Sequence, residues 1–160
     1  MLLRREHTYA ATPDEVFEML ADPEFRRRVS DAQDVHSAEI TIEQEGDGFT
    51  YVNDQVQRTD GLPPFARKIA GDSTRAVQRE HWSDPTHATA DIEAPGTPVE
   101  MRGTIELTPA GAGTRQVTEL NVKVKVPLIA GKLEKLLGQI TARGIDVQHE
   151  VGDAWLRGER

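Results

Sequence analysis

The sequence contains no cysteine, which excludes disulfides, thiolate metal sites, iron–sulfur clusters and cysteine nucleophiles. It also lacks any apolar run near the ~20 residues of a membrane span, so we expect no stable membrane insertion. Basic residues are in the minority, because 19 Lys and Arg stand against 27 Asp and Glu, for a net charge of −8. Phosphate neutralisation requires a positive surface, so this balance argues against nucleic-acid binding.

Length and composition predict one folded domain over residues 1–160. Hydrophobic residues make up 37% of the chain and occur in every segment, which is not the composition of a disordered protein. A chain of this length buries roughly 68–70% of its extended surface, so it can build a hydrophobic core without disulfides or bound metals to stabilise it. Charges at Arg4, Arg5 and Glu6 fall where the apolar stretch of a signal peptide would begin, so the expected location is the cytoplasm.

Two short helices are predicted after a first strand at residues 2–10. Thr12-Pro13-Asp14-Glu15 combines a capping Thr, a proline at the first helical position and a Glu three residues after the cap. Asp22-Pro23-Glu24 repeats the cap-then-proline signal and predicts a second helix that ends near Val29. Since the residue before a proline disfavours the helical backbone, we expect a break at Ala21-Asp22.

Period-two alternation then predicts six strands between Val35 and Val126. The first runs to a hairpin turn at residues 45–48, and the others cover residues 49–58, 74–82, 87–93, 99–107 and 116–126. Their one-sided burial is typical of an antiparallel sheet with one solvated face. The segment from Gly61 to Ala70 interrupts the strands, with a single helical turn expected at Phe65–Ile69. It is predicted to form an apolar patch, a lid, or simply a long connection pinned by Phe65.

The last segment, residues 128–157, returns to a helical period and predicts one long amphipathic helix. Four glycines interrupt it: Gly131, Gly138, Gly144 and Gly152. Each costs up to about 1 kcal/mol against alanine. Two explanations remain open: the glycines allow close packing of the helix on the sheet or a bend in the helix, or they leave free room beneath the helix for a ligand.

This order of elements predicts an α+β fold in which a curved antiparallel sheet wraps on the long C-terminal helix with a cavity between them. The chain resembles the START-like superfamily (SRPBCC, helix-grip fold), and within it a bacterial branch known only as a domain of unknown function. The resemblance covers essentially the whole chain. It implies the helix-grip fold but no single activity, since the fold hosts binders, carriers, cyclases and hydrolases, and it supplies no catalytic motif. The residues that carry it are Tyr9, residues 12–17, residues 22–25, Val126-Pro127 and residues 132–137.

Motifs of metal, nucleotide and nucleophilic chemistry are missing. No two histidines have the spacing of a zinc site, although His81 and His87 could face each other across a turn. Gly111-Ala112-Gly113 lies between strands and is predicted to be a turn, not a dinucleotide loop. The basic run Arg26-Arg27-Arg28 is interpreted as a solvated helix face. We therefore predict no metal and no cofactor, and assign no catalytic residue.

Three functions remain as hypotheses, and the sequence favours no particular oligomeric state. The first is a module that binds a hydrophobic, lipid-like or polycyclic molecule in the cavity between sheet and helix. The second is a cyclase, dehydratase or hydrolase that uses His7 or His36 with Glu80 as acid and base. The third is a protein-interaction module without a ligand. For the first, the predicted ligand-binding residues are Tyr9, His36, Ile40, Ile42, Tyr51, Trp82, Met101, Leu137, Ile140 and Val147.

Overall fold

The computed structural model describes all 160 residues and contains seven strands and four helices. All seven strands form one antiparallel sheet in the order β1-β7-β6-β5-β4-β3-β2, so β1 and β2 are its edges. The predicted α+β fold is confirmed. The elements are β1 (Leu2–Tyr9), α1 (Pro13–Leu20), α2 (Pro23–Ala32), β2 (Ser37–Glu45), β3 (Gly48–Arg58), α3 (Pro64–Ala70), β4 (Ser73–Asp84), β5 (His87–Glu93), β6 (Val99–Ala110), β7 (Gly113–Val124) and α4 (Ala130–Leu156).

Both predicted helix starts are present. The Thr12 hydroxyl accepts the backbone N–H of Glu15 at 3.2 Å, and the Glu15 carboxylate accepts the backbone N–H of Thr12 at 3.1 Å. The Asp22 carboxylate accepts the backbone N–H of Glu24 at 2.8 Å and starts α2. The break between the two helices is therefore where the proline at position 23 predicted it.

The structure differs from the prediction at several element ends. The β6–β7 hairpin extends to a two-residue turn, because Gly111 adopts a positive φ of 60° and Pro109 still pairs with Thr114. Helix α4 begins at Ala130 and not at Leu128, which has a positive φ of 69° and a fully exposed side chain. Helix α2 continues past Val29 to Ala32.

Most of the core lies at the end of the sheet that α1 and α2 cover. This main cluster has 19 buried residues, among them Leu20, Phe25, Phe49 and Trp82. A second cluster contains Ala66, Val124 and Leu133. The partly buried residues that contact both clusters are Val99 and Leu137. The inner face of the sheet is thus packed by two neighbouring clusters, which Val99 and Leu137 connect.

Helix α3 crosses the inner side of the sheet at the end occupied by the second cluster. It connects β3 to β4, yet its Ala66 packs with Val124 of β7 and Leu133 of α4. Strands β5 and β6 lie between β4 and β7 in the sheet, so the segment must span both of them. The 61–70 segment therefore covers the inner face, and Phe65 is half-buried beneath the Lys132 ammonium, 4.0 Å from its ring centroid.

None of the four helices combines the length and the hydropathy that a membrane-spanning segment needs.

Candidate ligand-binding site

A row of inward-facing side chains crosses the inner face of the sheet, and its apolar members belong to the main cluster or pack against it. The row consists of cross-strand neighbours from β2 to β6: Ile40, Asn53, Gln78, Ile92 and Met101. Met101 is buried, and the Thr141 hydroxyl of α4 contacts its sulfur at 3.5 Å. Gln78 and Ile92, in contrast, remain partly exposed although they lie on central strands under the helices. The sheet and its helical cover are therefore not in full contact along this row.

Neutral amides form one side of this space, on β3 and β4. Asn53 and Gln55 occupy successive inward positions of β3, and their exposed fractions are only 2% and 6%. The Asn53 amide nitrogen donates to the Ser30 hydroxyl of α2 at 3.3 Å. Asn53 Oδ1 and Gln55 Oε1 have no hydrogen-bond partner. Such an unpaired buried group costs about 1–3 kcal/mol, so two neighbouring ones require a functional or structural reason.

A buried ion pair lies beside the amides. The Arg26 guanidinium donates from Nη2 to Glu80 Oε2 at 2.8 Å, and Arg26 Nε donates to the Leu20 carbonyl at 2.7 Å. Glu80 also accepts from Trp82 Nε1 at 2.9 Å, and the guanidinium lies 3.9 Å from the centroid of the Tyr51 ring. The interpretation of the basic run at residues 26–28 as a solvated face is wrong for Arg26, because its partner Glu80 lies in the core.

The pair also determines the local electrostatics. Burial is the largest influence and acts to lower the pKa of Arg26, but the charge and hydrogen bond of Glu80, together with Tyr51 and Tyr9, outweigh it and the pKa is raised. Burial raises the pKa of Tyr51, against the opposite effect of the Arg26 charge. Arg26 thus keeps its charge inside the protein, where its guanidinium lies 2.8 Å from the Glu80 carboxylate.

A second titratable cluster joins β1 to α4. His7 Nε2 lies 2.9 Å from Asp146 Oδ1, and Arg5 binds the same carboxylate. The His7 ring stacks on His149 with centroids 4.5 Å apart. Burial lowers the pKa of His7, and the hydrogen bond from Arg5 lowers the pKa of Asp146. This cluster fastens the edge strand to the long helix.

The predicted acid–base set is not assembled. His7 is engaged by Asp146, and Glu80 is engaged by Arg26. His36 precedes β2 with an exposed side chain, and its backbone N–H donates to the Val56 carbonyl at 2.8 Å. The structure therefore does not support a mechanism in which either histidine works with Glu80.

His81 and His87, which could have faced each other across a turn, do not pair with each other. His81 lies opposite Thr89 in the β4–β5 ladder, whereas His87 lies opposite Asp84 and Glu106. No group of three His, Asp or Glu side chains is arranged to hold a metal ion.

The predicted lining residues fall into three environments. Tyr51 and Met101 are buried on the inner face, and Ile40, Ile42, Leu137 and Val147 are partly buried. Tyr9 and Trp82 belong to the solid main cluster, where Trp82 stacks on Phe49 at 5.8 Å. His36 and Ile140 are exposed.

Sequence reasoning missed the amides and the buried arginine. The available signal was parity, since Asn53 and Gln55 share the side of Tyr51 along β3. The partner of Arg26 was not accessible in this way, because Glu80 is 54 positions away.

The glycines of α4 mainly allow close packing. A Cβ on Gly152 would lie 2.8 Å from Cε1 of Tyr9, and one on Gly138 would collide with the Met1 side chain. At Gly144 the backbone carbonyl accepts the side-chain amide of Gln33 at 2.9 Å. Gly131 has open space around it. Of the two explanations, close packing therefore holds for three of the four positions.

The best-defined depressions of the surface lie away from the inner row. One of about 370 Å³ is on the outer side of α3, and one of about 360 Å³ is beside Trp155. At one end of the inner face, Ala66 of α3 packs with Val124 and Leu133.

Comparison with known proteins agrees with this architecture. Residues 4–156 match the family described as "Protein of unknown function (DUF2505)". Uncharacterized proteins of Mycobacterium tuberculosis (strain H37Rv) and Mycobacterium bovis are 24% identical over 108 residues, or 64% of this chain. The chain spans about 62% of the length of these curated relatives.

Solved structures with similar folds include the protein TTHA0849 from Thermus thermophilus, with a TM-score of 0.67, 21% identity and coverage of 96% of this chain and 94% of that one. A START superfamily protein from Mycobacterium smegmatis has a TM-score of 0.56, 14% identity and coverage of 93% and 97%. Norcoclaurine synthase from Thalictrum flavum, in complex with dopamine and hydroxybenzaldehyde, has a TM-score of 0.65, 15% identity and coverage of 100% and 88%. At these identities the likeness shows the fold alone, and the predicted START-like fold is confirmed.

Proposed function

Because this chain belongs to the family described as "Protein of unknown function (DUF2505)" and has a START-like fold, we propose that it binds a hydrophobic small molecule between the sheet, α3 and α4. The ligand lies along the inner row, in contact with Ile92, Met101 and Leu137. No chemical step is part of the proposal.

The observation that carries the proposal is the partial exposure of Gln78 and Ile92 on central strands of the inner face. An apolar side chain in this position normally stabilises a protein by complete burial, because each Å² of apolar surface removed from water contributes about 25 cal/mol. Ile92 packs against the main cluster, yet it keeps exposed area on β5. An apolar molecule that fills the space would bury this remaining surface.

The fold gives further support through another of its members. Norcoclaurine synthase of Thalictrum flavum has been solved with dopamine and hydroxybenzaldehyde, which are small aromatic compounds. A START-like sheet and helix can therefore accommodate molecules of that size. In this chain α3 is the cover that moves when the ligand enters, since Ala66 is its one buried residue and packs with Val124 and Leu133.

The proposal can be tested with a matched pair of substitutions on α4. Leu137 packs against both clusters, whereas Ile140 on the next turn is 40% exposed. Leu137→Trp fills the space, so we expect binding of N-phenyl-1-naphthylamine, a neutral apolar probe, to weaken at least about tenfold, or about 1.4 kcal/mol. Ile140→Trp adds the same side chain outside the space and leaves affinity within about twofold.

Affinity is measured by isothermal titration calorimetry, with circular dichroism to verify that both variants fold. Native mass spectrometry of the unmodified protein purified from cells adds an independent measurement, since a copurified ligand appears as a mass adduct that is lost on denaturation. Absence of saturable probe binding to the unmodified protein, together with absence of an adduct, refutes the proposed function.

A further inference from the structure

Three neutral amides meet on the inner face where a sheet normally places aliphatic side chains. Asn53 and Gln55 are two residues apart on β3, and Gln78 of β4 lies directly opposite Asn53. We name these three residues the amide patch. Its two buried oxygens, Asn53 Oδ1 and Gln55 Oε1, have no partner in the protein.

We propose that the amide patch binds a neutral hydroxyl group of the ligand, so that the protein selects hydroxylated apolar molecules over carboxylic acids. The proposal rests on the proposed function, because it places the polar end of the same ligand. The ligand hydroxyl donates a hydrogen bond to one of the unpaired amide oxygens, and it accepts a hydrogen bond from an amide N–H or from water.

The arrangement of charges explains why the group must be neutral. The nearby full charges, on Arg26 and Glu80, already neutralise each other at 2.8 Å, so neither is available to a ligand. A carboxylate placed here would face amide oxygens, which are acceptors like itself. Burial of an ionised group without a partner is far more unfavourable than burial of a hydroxyl that forms its hydrogen bond.

The surroundings of the patch are apolar and continuous with the rest of the row. Ile40 lies beside Asn53, Ile92 lies beside Gln78, and Met101 follows Ile92 across the sheet. A ligand with a hydroxyl at the patch would therefore extend its hydrocarbon part across β5 and β6 towards Leu137 of α4, which packs against both apolar clusters.

The hydrogen bonds that the amide patch already forms within the protein favour a ligand hydroxyl at this end of the row. The Asn53 amide nitrogen donates one hydrogen bond to Ser30 at 3.3 Å, and the Gln78 amide nitrogen donates one to Glu80 at 3.1 Å. The buried atoms of the patch that have no partner are both oxygens, which accept hydrogen bonds. A hydrogen-bond donor on the ligand is the complementary group.

The test compares alcohols with acids of the same skeleton. We use 1-decanol against decanoate and 2-naphthol against 2-naphthoate at pH 7, and measure affinity by calorimetry. The unmodified protein is expected to bind each alcohol at least about tenfold more tightly than its acid. The double variant Asn53→Leu/Gln55→Met, which keeps similar volume without the amides, should bind each alcohol at least about tenfold more weakly, whereas its affinity for 2-methylnaphthalene should stay within about twofold.

The control is Thr50→Val, which removes a hydroxyl from β3 at a position of the opposite parity, beside His81. It should retain the preference of the unmodified protein. Equal affinity for alcohol and acid in the unmodified protein, or an alcohol affinity that the double variant leaves unchanged, would overturn the inference and assign the patch to buried water alone. Failure of all five compounds to bind saturably would instead refute the proposed function itself.

Discussion

Arg26 of α2 and Glu80 of β4 form a two-pronged ion pair in which both side chains are no more than 2% exposed. Further hydrogen bonds surround the pair: Trp82 and Gln78 donate to the carboxylate, and the Leu20 carbonyl accepts from the guanidinium. Taking two charges out of water is costly, and good geometry with further hydrogen bonds is what offsets that cost. The pair thereby holds α2 on the sheet and keeps the neighbouring amides in a neutral environment.

Removal of one partner of this ion pair should strongly destabilise the folded protein. Arg26→Met leaves the Glu80 carboxylate buried without compensation, and we expect the free energy of unfolding to fall by about 3–5 kcal/mol. Urea denaturation followed by circular dichroism measures it. Arg27→Met, one position along the same helix and paired only with the exposed Glu24, should change stability by less than about 0.5 kcal/mol. Similar losses in the two variants would contradict the structural role of the pair.

Two glycines of α4 should respond to alanine with opposite signs. At Gly131 a new Cβ meets nothing within 4 Å, so the gain in helix propensity should stabilise the protein by up to about 1 kcal/mol. At Gly152 the Cβ would lie 2.8 Å from Tyr9 Cε1 and 3.1 Å from Met19 Cε. That overpacking should destabilise by about 1–3 kcal/mol. Thermal unfolding measures both, and stabilisation by Gly152→Ala would show that free room exists at this position.

Helix α3 should open when its anchor is made polar. Ala66→Asp buries a carboxylate between Val124 and Leu133, so we expect amide hydrogen exchange in residues 62–70 to accelerate by at least about tenfold, or about 1.4 kcal/mol. Ile69→Asp makes the same change of charge at an exposed position of the helix and should have little effect. Exchange is followed by mass spectrometry. Equal exchange in both variants would show that Ala66 does not hold α3 on the sheet.

Stability should decrease between neutral and mildly acidic pH because of His7. Burial holds the pKa of His7 below the ordinary value of 6.5. Asp146 acts to raise this pKa, whereas Arg5 and His149 act to lower it. The unfolded chain therefore binds a proton near pH 6.5 that the folded protein does not, and the free energy of unfolding falls as the pH drops through this value. Asp146 has a lowered pKa and adds a further loss only below its ordinary value of 3.8.

The variant His7→Asn should flatten this decline, as measured by urea denaturation between pH 7 and pH 5. His81→Asn removes an exposed imidazole on β4 and should keep the slope of the unmodified protein. A decline of equal steepness in all three proteins would rule out His7 as its source.

Interactions between residues close together in the sequence were sufficient to predict the helices and strands and their order along the chain. The caps at Thr12 and Asp22, the prolines after them and the two-residue alternation of the strands act within a few neighbouring residues, so they predicted α1, α2 and the sheet correctly. Even the parity of β1 was predictable, and it placed Arg5, His7 and Tyr9 on one side, where the first two meet Asp146.

Only the tertiary structure decided which side chains share the interior. Arg26 has the sequence context of a solvated helix face, and its burial follows from Glu80, which the β4 strand brings to it across 54 positions. The partial exposure of Gln78 and Ile92 and the unpaired oxygens of Asn53 and Gln55 likewise depend on how the helices pack on the sheet. Periodicity records which face of an element is buried, whereas the partner on that face is set by long-range packing between elements far apart in the chain.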